Sequence, residues 1–223
     1  MAGPSRNGRT NDPGPDSAAT LAYERLRAMI VTLELPPGTA LTEPAVVEQL
    51  GIGRTPVREA LRRLADDRLL VIFPRRGMVV AHLGLPEIQQ LFEARLVIEG
   101  ENAARAAARA AARDDADLAR LNGEIHDAQS EDSFATFLTV DQRLHRAIAR
   151  VARNRFLEAT TDRILTLTAW LWHAQMARYG IAPADYASHD GIVAAIARRD
   201  PPAARAAIVD HIERSRELLR VTL

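Results

Sequence analysis

No cysteine occurs in the 223 residues, which excludes disulfides, thiolate zinc sites and a cysteine nucleophile. Lysine is absent too, so all 29 basic residues are arginine, and they balance 29 acids. A neutral total excludes an indiscriminate polycation but leaves room for a local basic face. Aromatic residues make up only 4% of a chain that is 47% hydrophobic, so its core must come from Ala, Leu, Val and Ile. That composition favours helices, because Ala and Leu lose little side-chain freedom in them. No apolar run approaches the roughly 18 residues needed to span a bilayer. The opening stretch MAGPSRNGRTNDPGPDS has no apolar middle of the signal-peptide kind. Residues 1–16 are expected to form a disordered tail, and the protein is expected to be soluble and cytoplasmic.

What is present divides near residue 83. Leu21, Ala22, Leu26, Met29 and Ile30 recur at helical spacing over 18–32, and Leu-Pro-Pro-Gly at 35–38 stops that helix. A short second helix begins at Thr42-Glu43-Pro44 and runs to about Leu50; Thr42 can cap it and Pro44 suits its first turn. After the turn Gly51-Ile52-Gly53, a third helix carries Val57, Ala60, Leu61, Leu64 and Ala65 on one face. The β-prone runs 69–73 and 78–81 flank Pro74-Arg75-Arg76-Gly77 and predict a hairpin. Residues 17–82 hold nine Arg against seven acids, net +2, and residues 83–223 eighteen against twenty, net −2.

The second part reads as helix throughout, at about 86–112, 114–129, 133–152, 154–179, 183–198 and 201–221, with breaks at Asp114-Asp115, 130–133, Asn154, 180–183 and Asp200-Pro201-Pro202. The fold class is therefore mainly α: a small N-terminal unit with a β-hairpin over 17–82, followed by an all-α bundle over 83–223.

Three short helices, a tight turn before the third and a two-stranded wing make a winged helix-turn-helix, whose third helix presents its first residues to base edges in the major groove of DNA. Arg54 and Arg58 lie one turn apart opposite the apolar face, and arginine suits bidentate contact with guanine or phosphate. Thr55 and the free N–H groups at the helix start can hold a phosphate oxygen, and Arg75 and Arg76 at the wing tip can reach a groove or the backbone. Leu50-Gly-Ile-Gly-Arg-Thr-Pro-Val-Arg-Glu-Ala-Leu-Arg-Arg-Leu64, with Pro36-Pro37-Gly38 upstream and Arg75-Arg76-Gly77 at the wing, resembles the DNA-binding motif of the GntR family of bacterial transcription regulators. The resemblance implies operator contacts by Arg54, Thr55 and Arg58, with Gly77 allowing the wing to turn. Two positions depart from the pattern: Leu33 stands where the family often has Gly, and Gly53 replaces the usual Ser or Thr, removing a helix cap.

A second constellation lies in the helical part. Asp141 and His145, at i and i+4, project from one helical face. His189 and His211 lie eleven residues either side of the Asp200 hinge, so an antiparallel helix pair brings them to a common point. One carboxylate and three imidazoles suit a divalent ion, zinc first, with nickel, iron or manganese as alternatives. His82, His126 and His173 have no such arrangement. Asp141-Gln-Arg-Leu-His145, Asn154-Arg-Phe-Leu157, His189-Asp-Gly-Ile-Val-Ala-Ala-Ile196 and His211-Ile212 resemble the effector (FCD-type) domain of the FadR-like subclass, in its shorter six-helix version, many members of which bind a metal through the matching Asp and His residues. Arg95-Leu-Val-Ile-Glu99 also resembles that domain, where the Arg faces the metal pocket and suits a carboxylate effector; alternatively Arg95 simply pairs with Glu99 one turn away. Trp170 and Trp172 read as core or pocket wall.

These features predict a homodimeric regulator, a repressor, that binds a palindromic double-stranded DNA operator and responds to a small organic acid. A metalloenzyme is the rival reading, since an open Asp/His site can activate water, but it lacks a placed general base and gives residues 1–82 no purpose. A structural zinc site without effector is a third.

Overall fold

The computed structural model describes residues 15–131, 133–180 and 188–220, and side chains throughout these except at 15, 16, 179 and 220. Of the expected tail at 1–16, residues 1–14 lie outside them, while Pro15 and Asp16 are helical and correct its end; the start of the expected helix at 183–187 and the last residue of the expected helix at 221 also lie outside. Contacts divide the chain into two compact units, one comprising the described residues up to Ile30 together with Glu34–His82, the other comprising Val31–Leu33 and the described residues from Leu83 onward.

The first unit holds α1 (Pro15–Val31), β1 (Ala40–Leu41), α2 (Glu43–Leu50), α3 (Arg54–Asp66), β2 (Leu70–Phe73) and β3 (Gly77–Val80). Thr42 caps α2, its side chain accepting from Ala45 N–H, and Gly51 ends it in the left-handed conformation. Ala22, Leu26 and Ile30 of α1, Val46 of α2 and Val57, Ala60, Leu61 and Leu64 of α3 are buried, as the helical spacing requires. The hairpin pairs Leu70 with Val80 and Phe73 with Gly77. A third strand, β1, pairs Ala40 with Val79 and Leu41 with Met78, so the sheet order is β1-β3-β2. Two residues carry no periodicity, and the sequence reading missed that strand. Leu33 adopts φ 64, the left-handed backbone that favours glycine at this position.

The second unit is a helical bundle of α4 (Leu85–Arg109), α5 (Ala112–Ser130), α6 (Phe134–Val151), α7 (Arg155–Tyr179), α8 (Asp190–Ala197) and α9 (Pro201–Arg220). The long helix α4 packs against α6, α7, α8 and α9. Its Ala103, Ala106 and Ala107 are fully buried, and Gly100 faces the Arg205 and Val209 side chains of α9. The alanine-rich stretch is therefore a close-packing surface. The break between α4 and α5 falls at Ala110–Ala111, four residues earlier than the Asp pair predicted, because Asp114 sits inside the first turn of α5 and accepts from Ala111 N–H. An acidic side chain there meets the positive end of the helix dipole. Asp200 starts α9, its carboxylate accepting from Ala203 N–H, so α8 and α9 form the expected helical hairpin and pack together.

Gly77 has φ +95, and a Cβ there would meet Leu41 O at 3.3 Å. Gly77→Ala is expected to destabilise the first unit by about 1–3 kcal/mol through backbone strain and the crowded β1–β3 pairing, read as a lower urea midpoint.

Candidate functional site

Two sets of polar side chains stand out, one in each unit. In the first, α3 presents Arg54, Thr55 and Arg58, all exposed at its N-terminal end. Gly53 at the N-cap provides no side-chain hydrogen bond, so the first N–H groups of α3 have no side-chain cap to displace. Arg58 is held by two hydrogen bonds to Glu43, Nε to Oε2 at 2.9 Å and Nη2 to Oε1 at 2.8 Å. That bidentate bond lowers the Glu43 carboxyl below its usual range and raises the guanidinium further. The partnership was not visible in the sequence, where Glu43 is only the first residue of α2. Arg75 and Arg76 are exposed at the wing tip; Arg75 takes φ 62 and Arg76 N–H closes the turn onto Phe73 O at 3.0 Å. Gly77 follows at the start of β3, its positive φ completing the turn.

In the second unit the four residues named from spacing come together. One ligand atom each from Asp141, His145, His189 and His211 lie within 4.8 Å of one another, and all four residues are buried. The i,i+4 spacing on α6 supplies Asp141 and His145. His189, just before α8, and His211, on α9, are brought face to face by the helical hairpin, with ring centroids 4.2 Å apart. His145 lies 5.4 Å from His189 and 5.2 Å from His211, centroid to centroid.

The electrostatics of this cluster follow from its dryness. Burial holds the His211 imidazole well below its ordinary pKa, and the neighbouring His189 and His145 push it further down. His189 is also lowered by burial, against the pull of Asp141. His145 behaves oppositely: burial disfavours its charge, but the Glu99 and Asp141 carboxylates outweigh that and raise it. Glu99, though fully buried, is lowered to about 2 because Arg95 and His145 together overcome its desolvation.

Arg95 and Glu99 are both 2% exposed. The one-turn pair exists, Arg95 Nε donating to Glu99 Oε1 at 2.6 Å, and it lies against the cluster, because Glu99 Oε2 accepts from Nδ1 of His145. Glu99 is the residue the sequence reading left aside; only its place in the Arg95–Glu99 motif hinted at a part. Trp170 and Trp172 are buried, and Trp172 belongs to the bundle core. His173 is half-buried, edge-on to Phe134 at 5.8 Å. His126 meets Asp190 on the surface, Nε2 to Oδ1 3.0 Å.

The cluster fits a metal. Nε2 of His189 lies 2.9 Å from Asp141 Oδ1, yet this nitrogen, Nε2 of His145 and Nδ1 of His211 make no aligned hydrogen bond among the described residues. Buried polar atoms normally find partners, and three lone-pair nitrogens with a carboxylate are a borderline donor set for a divalent ion. Ligand atoms held at about 2.0–2.2 Å from one ion lie roughly 3–4.4 Å apart, a spread close to the one observed.

Residues 19–80 match the model of the bacterial regulatory proteins, gntR family, and residues 90–214 match that of the FCD domain. The chain belongs to the GntR family of bacterial regulatory proteins. Its relatives are described as HTH-type transcriptional regulators. It is 27% identical over 210 residues to the HTH-type transcriptional repressor RspR of Escherichia coli K12, covering 89% of this chain and 87% of that one. It is 38% identical over 86 residues to an HTH-type transcriptional regulator in the TAR-I ttuE-ttuC' intergenic region of Agrobacterium vitis, a match that spans 39% of this chain and half the length of that protein. The solved structure of E. coli McbR/YncC superposes with a TM-score of 0.80 at 22% identity, over 92% of this chain and 97% of that one, and shares the fold. The protein is thus a transcription regulator with a GntR-type helix-turn-helix and an FCD domain, and the metalloenzyme reading falls away with the family. No helix among the described residues is long and apolar enough to cross a membrane.

The pKa directions set a pH dependence. An unfolded imidazole takes a proton below about 6.5, whereas folded His211 resists it, so folding stability falls as pH drops through that value. His189 acts in the same direction, and His145, raised in the fold, acts in the opposite one. Chelator-treated protein is expected to lose thermal stability between pH 7 and pH 5, and His211→Gln to lose less over the same interval. An undiminished loss in that variant would show that His211 is not the controlling group.

Proposed function

We propose that the protein is a homodimeric, cytoplasmic repressor whose operator binding is governed by a small carboxylate held at a divalent metal in its bundle. Residues 17–82 read DNA, and residues 83–223 bind metal and effector and dimerise. The observation that carries this reading is the convergence of Asp141, His145, His189 and His211 on one point, with three buried nitrogens that make no aligned hydrogen bond among the described residues. A repressor role is supported by the printed name of one full-length relative.

The charge count supports an acidic effector. Three neutral imidazoles and one carboxylate leave a divalent ion with a net charge of +1, and Arg95 and Glu99 cancel each other. A dry site with residual positive charge favours an anion. A small organic acid answers that need by ligating the ion through a carboxylate. A guanidinium carries five N–H donors, more than Glu99 can accept, so Arg95 can also point a donor at the acid. Zinc is the first choice of ion; nickel, iron and manganese accept the same donors.

On DNA, one recognition helix reads only a few base pairs, and two copies on a palindrome roughly add their binding free energies. Arg54 and Arg58 reach base edges or phosphates, Thr55 and the uncapped N–H groups of α3 hold a phosphate, and Arg75, Arg76 and Gly77 place the wing. The effector acts by population shift: it binds more tightly to a dimer geometry in which the two helices no longer match adjacent half-sites. Coupling of this kind is reciprocal, so operator DNA must weaken effector binding by the same factor.

Two measurements test these roles. Native mass spectrometry of the protein purified without chelator is expected to show a dimer with one metal per subunit, and His189→Ala to lose the metal; full occupancy in that variant would remove His189 from the ligand set. Arg58→Ala is expected to weaken specific DNA binding by about 1–3 kcal/mol per half-site in a shift titration against the protein's own promoter region, with the helical circular dichroism unchanged. Equal affinity would take Arg58 out of the DNA contact.

A further inference from the structure

We infer that Glu99 is the positioning residue of the metal centre: its carboxylate, anchored by Arg95, fixes the His145 ring so that Nε2 faces the other ligands. This rests on the metal-binding reading above. Glu99 spends its two oxygens on two different helices. Oε1 accepts from Arg95 one turn back on α4 at 2.6 Å, and Oε2 accepts from Nδ1 of His145 on α6. If Glu99 served only to neutralise Arg95, nothing would require its second oxygen to hold a histidine. Its bond to Nδ1 does two things to that ring. It fixes the proton on Nδ1, so the lone pair resides on Nε2, and it sets the ring plane. Nε2 is the atom left without a partner among the described residues, and it lies 3.7 Å from Asp141 Oδ1.

Glu99 is not itself placed as a ligand, since the ligand atoms that gather within 4.8 Å come from Asp141, His145, His189 and His211. It acts through His145. A carboxylate that accepts from the far nitrogen of a metal-bound imidazole raises the basicity of the near one and holds its direction. The Arg95 guanidinium, 2% exposed, supplies the opposite charge that lets such a carboxylate stay ionised in a dry bundle. Arg95, Glu99 and His145 form a chain from α4 to the ligand cluster, in which α4 sets the geometry of a ligand it does not itself provide.

The test uses Co2+ alone as probe, on the full-length protein, by competition with a chelator and by the visible absorption of the bound ion. Wild-type protein is expected to bind one Co2+ per chain. Glu99→Ala is expected to bind it roughly 10–100-fold more weakly with an altered d–d spectrum, and Glu99→Gln to recover part of the loss, because its amide oxygen still accepts from Nδ1–H. Equal affinity and spectrum in wild type and Glu99→Ala would overturn the positioning role and leave the metal site standing. No Co2+ uptake by wild type would overturn the metal reading and this inference with it. Should the Ala variant fail to fold, 15N spectra of the wild-type histidines with Zn2+ decide: His145 protonated at Nδ1 and ligated through Nε2 is the expected result, and ligation through Nδ1 overturns the proposal.

Discussion

The bundle depends on the burial of charge at the junction of α4 and α6. Arg95, Glu99, Asp141 and His145 are all removed from solvent, and an isolated ion in such surroundings costs several kcal/mol even after relaxation. Each charge is tolerable only because the next is in place: Arg95 for Glu99, Glu99 for His145, and His145 and His189 for Asp141. Removing one member of a buried pair costs about 3–5 kcal/mol, because the other is left uncompensated. The helices that surround this point are accordingly fixed in register. On α4, Gly100 leaves room for the Arg205 and Val209 side chains of α9, and Asp200 turns the chain so that His189 meets His211. An apolar bundle of the same helices would not need that register.

The first unit solves a different problem, that of presenting arginines at an exposed helix end. Arg58 is exposed but not idle, being held by the carboxylate of Glu43. A long flexible side chain loses rotamer freedom when it binds a base, and one already held at two nitrogens has lost part of it beforehand. Glu43 owes its own place to Thr42, which caps α2 one residue earlier. A helix cap thus fixes the direction of a side chain on the following helix.

Much of this was legible in the sequence because it rests on periodicity or on fixed spacing. The apolar faces of α1 and α3, the hairpin around Pro74–Gly77, the six helices of the bundle and the meeting of His189 with His211 all follow from such patterns. The strand β1 was not legible, since two residues show no alternation and its pairing with β3 is a tertiary fact. The end of α4 was misplaced because an Asp pair favours a helix start in general, and only the Asp114 bond to Ala111 N–H shows that it lies inside the turn. Glu99 and Glu43 escaped for a common reason. Each acts through a residue 46 or 15 positions away, and no local pattern records that distance. The spacing of Arg95 and Glu99 showed the bond between them but not that the second carboxylate oxygen was already committed.

The absence of lysine gains meaning at these two places. At Arg95, a guanidinium spends its Nε–H on Glu99 and keeps four further N–H donors, where an ammonium has three in all. At Arg58 the argument concerns shape. The planar fork that matches the two oxygens of Glu43 also matches O6 and N7 of guanine. Glu43 therefore occupies the donors that a guanine would need, and a base that binds Arg58 bidentately must displace it or share it. Displacement costs the pair but costs little, because both groups are exposed and return to water. The carboxylate that orients Arg58 is therefore also the acceptor with which any incoming acceptor has to compete.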